Sequence, residues 1–193
     1  MKLVLGSTSP FRKALLERLH IKFECDSADI VETPLENETV EDMVVRLAIS
    51  KAKAIADRHP DSLIIGSDQS AVLNGEKLSK PGNFDNAVRQ LQNASGRRIV
   101  FQTGLCLLNT HSGNVQTAVV PYTVVFRQLT SEMIENYLKK EQPYNCAGSF
   151  KSEGLGIALF EKFEGEDPNA LIGLPLIKLT EFLENEGFSV LDG

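Results

Sequence analysis

The chain has 193 residues, a formal net charge of −6 and a hydrophobic content of 42%, which is ordinary for a globular protein with a real core. The acidic balance argues against an extended nucleic-acid surface, and no apolar run reaches membrane-spanning length. Three scattered cysteines and three scattered histidines suit a reducing cytoplasm and give little support to a zinc site. The N-terminus begins as a strand rather than a secretory leader, so we expect a soluble cytoplasmic protein.

The first stretch predicts a strand over residues 2–5, a polar loop over residues 6–9 and a helix over residues 10–20. Ser9 is placed as the N-cap, and Pro10 suits the first helical position. A helix start after Gly-Ser-Thr-Ser directs backbone N–H groups, hydroxyls and the positive end of a helix dipole toward one point, which suits a phosphate. Arg12 would add a fork of donors there. The structural alternative is a well-capped helix with a solvated Arg12.

The next segments predict a second strand over residues 21–25, an acidic loop and a long helix over residues 40–58. Glu32 lies in the loop with three further acids, which as a group also fit a solvated turn. Lys51 projects into the middle of the apolar stripe of the helix, between Val44, Leu47 and Ile55. A snorkelling lysine is one explanation, and the other is an anionic partner, either a phosphate or an acidic site residue.

The apolar run of residues 63–66 predicts a central strand that ends in Ser67-Asp68-Gln69. Ligands of open α/β sheets gather at the carboxyl ends of strands, so Asp68 is placed at the edge of a crevice. Asn74-Gly75 predicts a two-residue hairpin, which would bring Lys80 near Asp68.

The rest of the chain predicts a helix over residues 84–95, antiparallel strands over residues 99–108 and 115–127, and a helix over residues 130–140. Residues 146–160 predict a glycine-interrupted strand pair, and residues 176–184 a final helix. We therefore expect an α/β fold with a mixed sheet, flanking helices and two lobes around a central cleft.

Four segments carry a resemblance to a known family: Gly6-Ser-Thr-Ser-Pro-Phe-Arg12, Val31-Glu-Thr-Pro34, Ile65-Gly-Ser-Asp-Gln69 and Lys80-Pro81. In this order they resemble the Maf family of nucleoside triphosphate pyrophosphatases over nearly the full length. Phe150-Lys-Ser-Glu-Gly-Leu-Gly-Ile157 and Gly173-Leu-Pro175 look like the branch that acts on 7-methyl-GTP. Phe11 and Gly6 depart from that branch, in which Trp and Ala are usual.

The resemblance implies one nucleotide pyrophosphatase domain over residues 1–193, commonly dimeric, dependent on Mg²⁺ or Mn²⁺ and active in nucleotide house-cleaning. It places the proton acceptor on Asp68 and the supporting motif residues on Ser7, Arg12, Glu32, Lys51 and Lys80. On chemical grounds we assign metal binding to Glu32 and Asp68, and phosphate binding to a set of donors. That set is Ser7, Arg12, Lys51 and Lys80.

The resemblance places base specificity on Phe11, Gln69 and Glu153, each with a structural alternative: a core ring, a strand-edge amide and a solvated acid. Glu153 argues for a guanine base rather than a pyrimidine. Alternatives that stay open are a pyrophosphatase for dTTP, UTP or a damaged purine triphosphate, a nucleotidyltransferase, and a non-enzymatic nucleotide-binding regulator of septum formation.

Overall fold

The computed structural model describes residues 1–27 and 29–192, which form a mixed α/β structure. The strands are β1 (Lys2–Leu5), β2 (Glu24–Cys25), β3 (Ser62–Leu73), β4 (Glu76–Lys77), β5 (Arg98–Asn109), β6 (Val115–Phe126) and β7 (Phe160–Gly165). The helices are α1 (Pro10–Glu17), α2 (Val40–Lys53), α3 (Phe84–Ala94), α4 (Ser131–Glu141), α5 (Pro168–Ile172) and α6 (Leu176–Asn185). The predicted α/β class is confirmed.

Seven strands form one sheet in the order β2-β1-β3-β5-β6-β7, with β4 paired to β3. β1 is parallel to both β2 and β3, whereas β4 is antiparallel to β3 and β7 is antiparallel to β6. The sheet is therefore mixed, as the sequence predicts. The predicted hairpin is also present, because Leu73 pairs with Glu76 across Asn74 and Gly75, which both have positive φ.

The chain divides into two compact units. The first contains Met1–Gln69, Gln102–Val120 and the chain from Asp167 onward, and the second contains Ser70–Phe101 and Pro121–Glu166. These units correspond to the two predicted lobes, while the cleft between lobes stays a prediction. Within the described part of the chain, every helix falls short of the length and apolar character that a membrane crossing requires.

The core of the first unit lies on both faces of β1 and β3. On one face, Leu3 and Ile65 pack in a cluster with side chains of α1 and α6. On the other face, Val4 and Ile64 pack against Ala48 of α2 and its neighbours. Because both faces are covered, these strands are continuous apolar runs rather than alternating ones.

Several predicted boundaries are wrong. α1 ends at Glu17 and α2 at Lys53, and the second strand is only Glu24–Cys25. The strand pair predicted over residues 146–160 is replaced by two 3₁₀ turns, Ala147–Ser149 and Leu155–Leu159. The short helix α5 is additional. Cys25 is exposed, whereas Cys106 is buried, and burial raises the pKa of the Cys106 thiol to about 12.

Candidate active site

The loop between β1 and α1 is held together by its own hydroxyl groups. The Ser7 hydroxyl accepts the N–H of Ser9 at 3.1 Å, and Ser9 caps α1 by accepting the N–H of Arg12 at 3.4 Å. The predicted N-cap is confirmed. The same bonds correct part of the phosphate prediction, because the amides of Ser9 and Arg12 already have acceptors within the loop. The hydroxyls and the Arg12 side chain remain the better candidates for an anion.

The guanidinium of Arg12 is fixed by a carbonyl from the C-terminal end of α5. Its Nε donates to Gly173 O at 2.8 Å, and a Cβ at residue 173 would lie 3.2 Å from the same nitrogen. Burial lowers the pKa of Arg12, while the charges of Asp68 and Glu32 act in the opposite direction. With Nε held, Arg12 can offer its terminal NH₂ groups to an anion.

Helix α2 lies very close to the sheet because two glycines face it. A Cβ at Gly66 would lie 2.0 Å from Ala48 O, and one at Gly104 would lie 2.3 Å from Val44 O. Any side chain at these positions would force the helix outward. Lys51 follows Ala48 by one turn, so this backbone approach sets how far Lys51 lies from the strand.

Lys51 connects two carboxylates. Its Nζ lies 2.6 Å from Asp68 Oδ1 and 2.8 Å from Glu32 Oε1. The side chains of Lys51 and Asp68 are only 17% and 11% exposed, whereas that of Glu32 is 58% exposed. The anionic partner predicted for Lys51 is confirmed in the form of acidic residues. A mostly buried ammonium and carboxylate stabilise each other only while both are present.

A cavity of about 590 Å³ opens beside the start of α1. Its volume lies within the range of about 300 to 1,000 Å³ that is usual for small-molecule sites. The cavity is lined by Gly6, Ser7, Thr8, Ser9, Arg12, Ser27, Asp29, Ile30, Glu32 and Lys51. The hydroxyls, the guanidinium and the ammonium in this lining suit a phosphate-bearing ligand.

Gln69 is anchored by its amide nitrogen. Nε2 donates to Thr103 Oγ1 at 3.0 Å, to Ala170 O at 2.6 Å and to Leu171 O at 3.1 Å. Carbonyl oxygens only accept hydrogen bonds, so the nitrogen end of this amide has to face α5. Gln69 therefore ties the middle of β3 to α5, which the sequence did not indicate. The strand that was predicted to end at Ser67-Asp68-Gln69 continues to Leu73, so Asp68 lies within the strand rather than at its carboxyl end.

Phe11 is 50% exposed, so the structural alternative of a core ring is wrong. Leu15 and Leu16 of the same helix are buried. The exposed ring lies on the first turn, next to Arg12, and it is accessible to a ligand. Its role in base binding stays a prediction.

Lys80 and Glu153 belong to the second unit. Both act on the half-buried thiol of Cys146, whose pKa is raised chiefly by burial; the charge of Glu153 raises it further and that of Lys80 lowers it. The second unit thus places these two charged side chains around one thiol. The proximity of Lys80 to Asp68 stays a prediction, because the two residues belong to different units.

Comparison with known proteins decides the family. The profile of the family described as Maf-like protein matches residues 2–186. The chain belongs to the Maf-like family. It is also 57% identical over 189 residues to a protein of Colwellia psychrerythraea named 7-methyl-GTP pyrophosphatase, with 98% of this chain and 94% of that protein covered. A protein of Nitrosococcus oceani with the same name is 55% identical over 189 residues, with 98% and 95% covered.

The resemblance implies a divalent metal ion, and the side chains of this Maf-like chain show what kind of metal site they could form. Among residues 1–27 and 29–192, no three or more His, Cys, Asp or Glu side chains are grouped to hold a metal ion. Glu32 and Asp68 instead share the ammonium of Lys51. Mg²⁺ commonly binds one or two carboxylates together with substrate phosphates. These two carboxylates therefore fit a cation that arrives with a phosphate ligand, rather than one held by a closed protein cage.

An ion pair that the sequence did not predict holds the Glu32 loop. Glu38 accepts two bonds from the guanidinium of Arg46, from Nε and from Nη2, the latter at 2.7 Å. Arg46 also donates to Thr33 O at 3.2 Å, and Glu38 accepts the N–H of Leu35 at 3.0 Å. These bonds lower the pKa of Glu38 to about 2. In this Maf-like chain the pair fastens the segment that directly follows Glu32 to α2. Neither residue carried a signal in the sequence beyond opposite charge.

Proposed function

We propose that the chain is a hydrolase that cleaves 7-methyl-GTP between the α- and β-phosphates, releasing 7-methyl-GMP and pyrophosphate. The observation that carries this proposal is 55% and 57% identity, over nearly the whole length, to two proteins named 7-methyl-GTP pyrophosphatase. The charged cluster around Lys51, next to a polar cavity, supports it independently. We treat residues 1–193 as one functional domain, since the family match runs from residue 2 to residue 186.

Asp68 is the general base in this proposal. Its Oδ1 accepts a hydrogen bond from Lys51, which assigns the attacking water to Oδ2. The water gives a proton to Asp68 while its oxygen bonds to phosphorus, and the phosphoanhydride bond breaks as pyrophosphate leaves. A positioned base of this kind contributes a factor of about 10² to 10⁴ to the rate.

The cationic side chains bind the triphosphate and stabilise the charge of the leaving pyrophosphate. Ser7, Arg12 and Lys51 line the cavity, and we assign Lys80 to the same task. Lys51 is suited to it because its ammonium is already desolvated and already bonded to the base. A divalent cation such as Mg²⁺ or Mn²⁺, held by Glu32 and Asp68, would offset phosphate charge when bound.

We assign base recognition to Phe11, Gln69 and Glu153. The ring of 7-methylguanine is cationic, so stacking on Phe11 would contribute up to about 2 kcal/mol in a desolvated site. Glu153 can accept from the N1–H and the exocyclic amine together, a contact worth roughly 1 to 3 kcal/mol. Gln69 has its amide nitrogen engaged by protein acceptors, so Oε1 is the atom that it offers to a ligand.

The resemblance supports the remaining parts of the proposal. We expect a homodimer that acts in the cytoplasm on free modified nucleotides, as a house-cleaning enzyme. The net charge of −6 is consistent with a small nucleotide substrate rather than extended nucleic acid.

A panel of triphosphates assayed with Mg²⁺ tests the proposal, with release of pyrophosphate scored against release of orthophosphate. We expect 7-methyl-GTP to give pyrophosphate with the highest kcat/KM. Release of pyrophosphate from dTTP or UTP but not from 7-methyl-GTP would contradict the substrate assignment. Tight nucleotide binding without turnover would instead indicate a nucleotide-binding regulator.

The substitution Asp68→Asn tests the mechanism. We expect turnover to fall by a factor of about 100 or more, because the base is lost while the shape is kept. Nucleotide binding without metal should stay close to that of the wild type. Asp61→Asn is the control, since Asp61 is an exposed residue that pairs with His111. Undiminished turnover in Asp68→Asn would remove Asp68 as the base.

A further inference from the structure

The loop that carries Glu153 is held on both sides by one residue of α4. Glu141, the last residue of that helix, accepts the N–H of Leu155 through Oε2 at 2.9 Å. Through Oε1 it pairs with Lys151 Nζ at 3.3 Å. Lys151 and Leu155 stand two residues before and two residues after Glu153. The carboxylate of Glu141 therefore fixes both ends of the five-residue loop 151–155.

The loop is closed tightly against α4. A Cβ at Gly154 would lie 3.1 Å from each carboxylate oxygen of Glu141, so the backbone next to Glu153 is in direct contact with that side chain. The N–H of Lys151 donates to the hydroxyl of Tyr137, one turn before Glu141 on the same helix, at 3.2 Å. Two successive turns of α4 thus hold the loop, and Glu141 makes the larger number of bonds.

The side chain of Glu141 is more buried than that of its partner Lys151. The Glu141 side chain is 18% exposed and that of Lys151 is 35% exposed. The carboxylates of Glu141 and Glu153 both act on the hydroxyl of Tyr137, whose pKa is raised chiefly by burial and further by these two charges. The carboxylates of Glu141 and Glu153 are therefore both close enough to the Tyr137 hydroxyl to affect its pKa.

We propose that Glu141 is a positioning residue for Glu153, and that discrimination between nucleotide bases depends on it. Glu141 does not need to touch the substrate. It holds Lys151 and Leu155, and these hold the tip of the loop where Glu153 would accept two hydrogen bonds from a guanine base. A bidentate contact requires both oxygens of Glu153 at fixed positions. Releasing the loop at one end should therefore weaken this contact with the base more than it weakens the overall affinity for nucleotides. This inference rests on the proposed function, because it takes Glu153 as the residue that reads the base.

The test compares Glu141→Ala and Glu141→Gln with Glu135→Gln. Glu135 is a matched control because it lies on the same helix and pairs with Lys139 at 3.3 Å on the exposed surface. We expect Glu141→Ala to lower the ratio of kcat/KM for 7-methyl-GTP to that for UTP by roughly 10-fold, the size of one bidentate base contact. Glu141→Gln keeps an oxygen for the N–H of Leu155 but loses the charge pair, so its ratio should fall between those of Glu141→Ala and the wild type. Glu135→Gln should leave the ratio unchanged.

A double-mutant cycle separates positioning from a general structural effect. In a Glu153→Gln background, Glu141→Ala should not change the substrate ratio further, because the group that it positions is already altered. An equal fall in that background would overturn the proposal. So would an unchanged ratio in Glu141→Ala when its thermal unfolding shows a folded protein.

Amide hydrogen exchange of Leu155 provides a readout that needs no substrate. We expect faster exchange of this N–H in Glu141→Ala than in the wild type or in Glu135→Gln, and unchanged exchange would overturn the proposal. If the wild type does not cleave 7-methyl-GTP, the proposed function fails by itself. The ratio is then measured between a purine and a pyrimidine triphosphate by binding, where a fall in Glu141→Ala supports the inference and an unchanged ratio overturns it.

Discussion

Replacing Lys51 by methionine should destabilise the protein by about 3 kcal/mol, because it leaves two carboxylates without their shared cation. Removing one partner of a buried ion pair costs about 3 to 5 kcal/mol. The pair of Lys51 and Asp68 is mostly but not fully buried, with side chains 17% and 11% exposed, which favours the lower end of that range. The pair with the more exposed Glu32 adds little, about 0 to 1 kcal/mol.

Thermal unfolding at pH 7 measures this loss. For a chain of this size, 1 kcal/mol corresponds to about 2 to 4 °C in Tm, so Lys51→Met should lower Tm by about 6 to 12 °C. The double variant with Asp68→Asn should recover part of the loss, because it removes the unpaired buried charge. Non-additivity of about 1 kcal/mol or more in this cycle is the signature of a direct pair.

Lys139→Met is the matched control for the stability measurement. Lys139 also pairs with a glutamate, at 3.3 Å, but its side chain is 63% exposed, so its loss should change the free energy of unfolding by less than about 0.5 kcal/mol. A loss of stability in Lys51→Met no larger than that in Lys139→Met would refute a stabilising buried pair of Lys51 and Asp68. Simply additive effects of Lys51→Met and Asp68→Asn would refute it too.

Two further predictions concern packing and pH. Gly66→Ala would place a Cβ 2.0 Å from Ala48 O, so it should lower the free energy of unfolding by about 3 kcal/mol. The control Gly113→Ala, where φ is 77° and the space is open, should lower it by about 1 kcal/mol. Equal losses of stability in urea unfolding would contradict the close approach of α2. The pKa of Glu38 is held at about 2, below its ordinary value of 4.5, so its contribution to stability is complete above pH 4.5 and is lost as the pH falls toward 2. Glu164 also has a pKa of about 2. Glu38→Gln and Glu164→Gln should therefore each reduce the fall in the free energy of unfolding between pH 4.5 and pH 2. An unchanged dependence on pH would contradict the ion pairs of these two glutamates.

Features with a local cause could be predicted from the sequence. Ser9 followed by Pro10 indicated the start of α1 because a cap and a first-turn proline act within four residues. An anionic partner for Lys51 could be predicted because a charge in an apolar stripe needs one, and the structure supplies Asp68 and Glu32. The Asn74-Gly75 turn followed from its demand for positive φ at both residues.

Features that depend on distant contacts could not be predicted in this way. Glu38 lies in a loop, and a loop has no apolar periodicity from which its path could be predicted. The ion pair of Glu38 with Arg46 therefore could not be predicted from the sequence. Residues 146–160 were predicted as a glycine-interrupted strand pair, but Gly148 has φ 75° and a Cβ at Gly156 would lie 2.1 Å from Lys151 O. With the backbone folded this closely on itself, the segment forms 3₁₀ turns instead of pairing as two strands. Asp167 before Pro168 was an available signal for α5, since Asp167 caps that helix.

The anchoring of Gln69 has a consequence for how this position can change. The amide nitrogen meets the carbonyls of Ala170 and Leu171, and the Thr103 hydroxyl that it also contacts donates its own proton to Ala170 O. Glutamate has almost the same shape, but its carboxylate has no hydrogen to donate, so it would turn the two attractive contacts with the carbonyls into repulsive ones. Deamidation, which exchanges one nitrogen for one oxygen, would therefore release α5 without altering the volume of a single side chain.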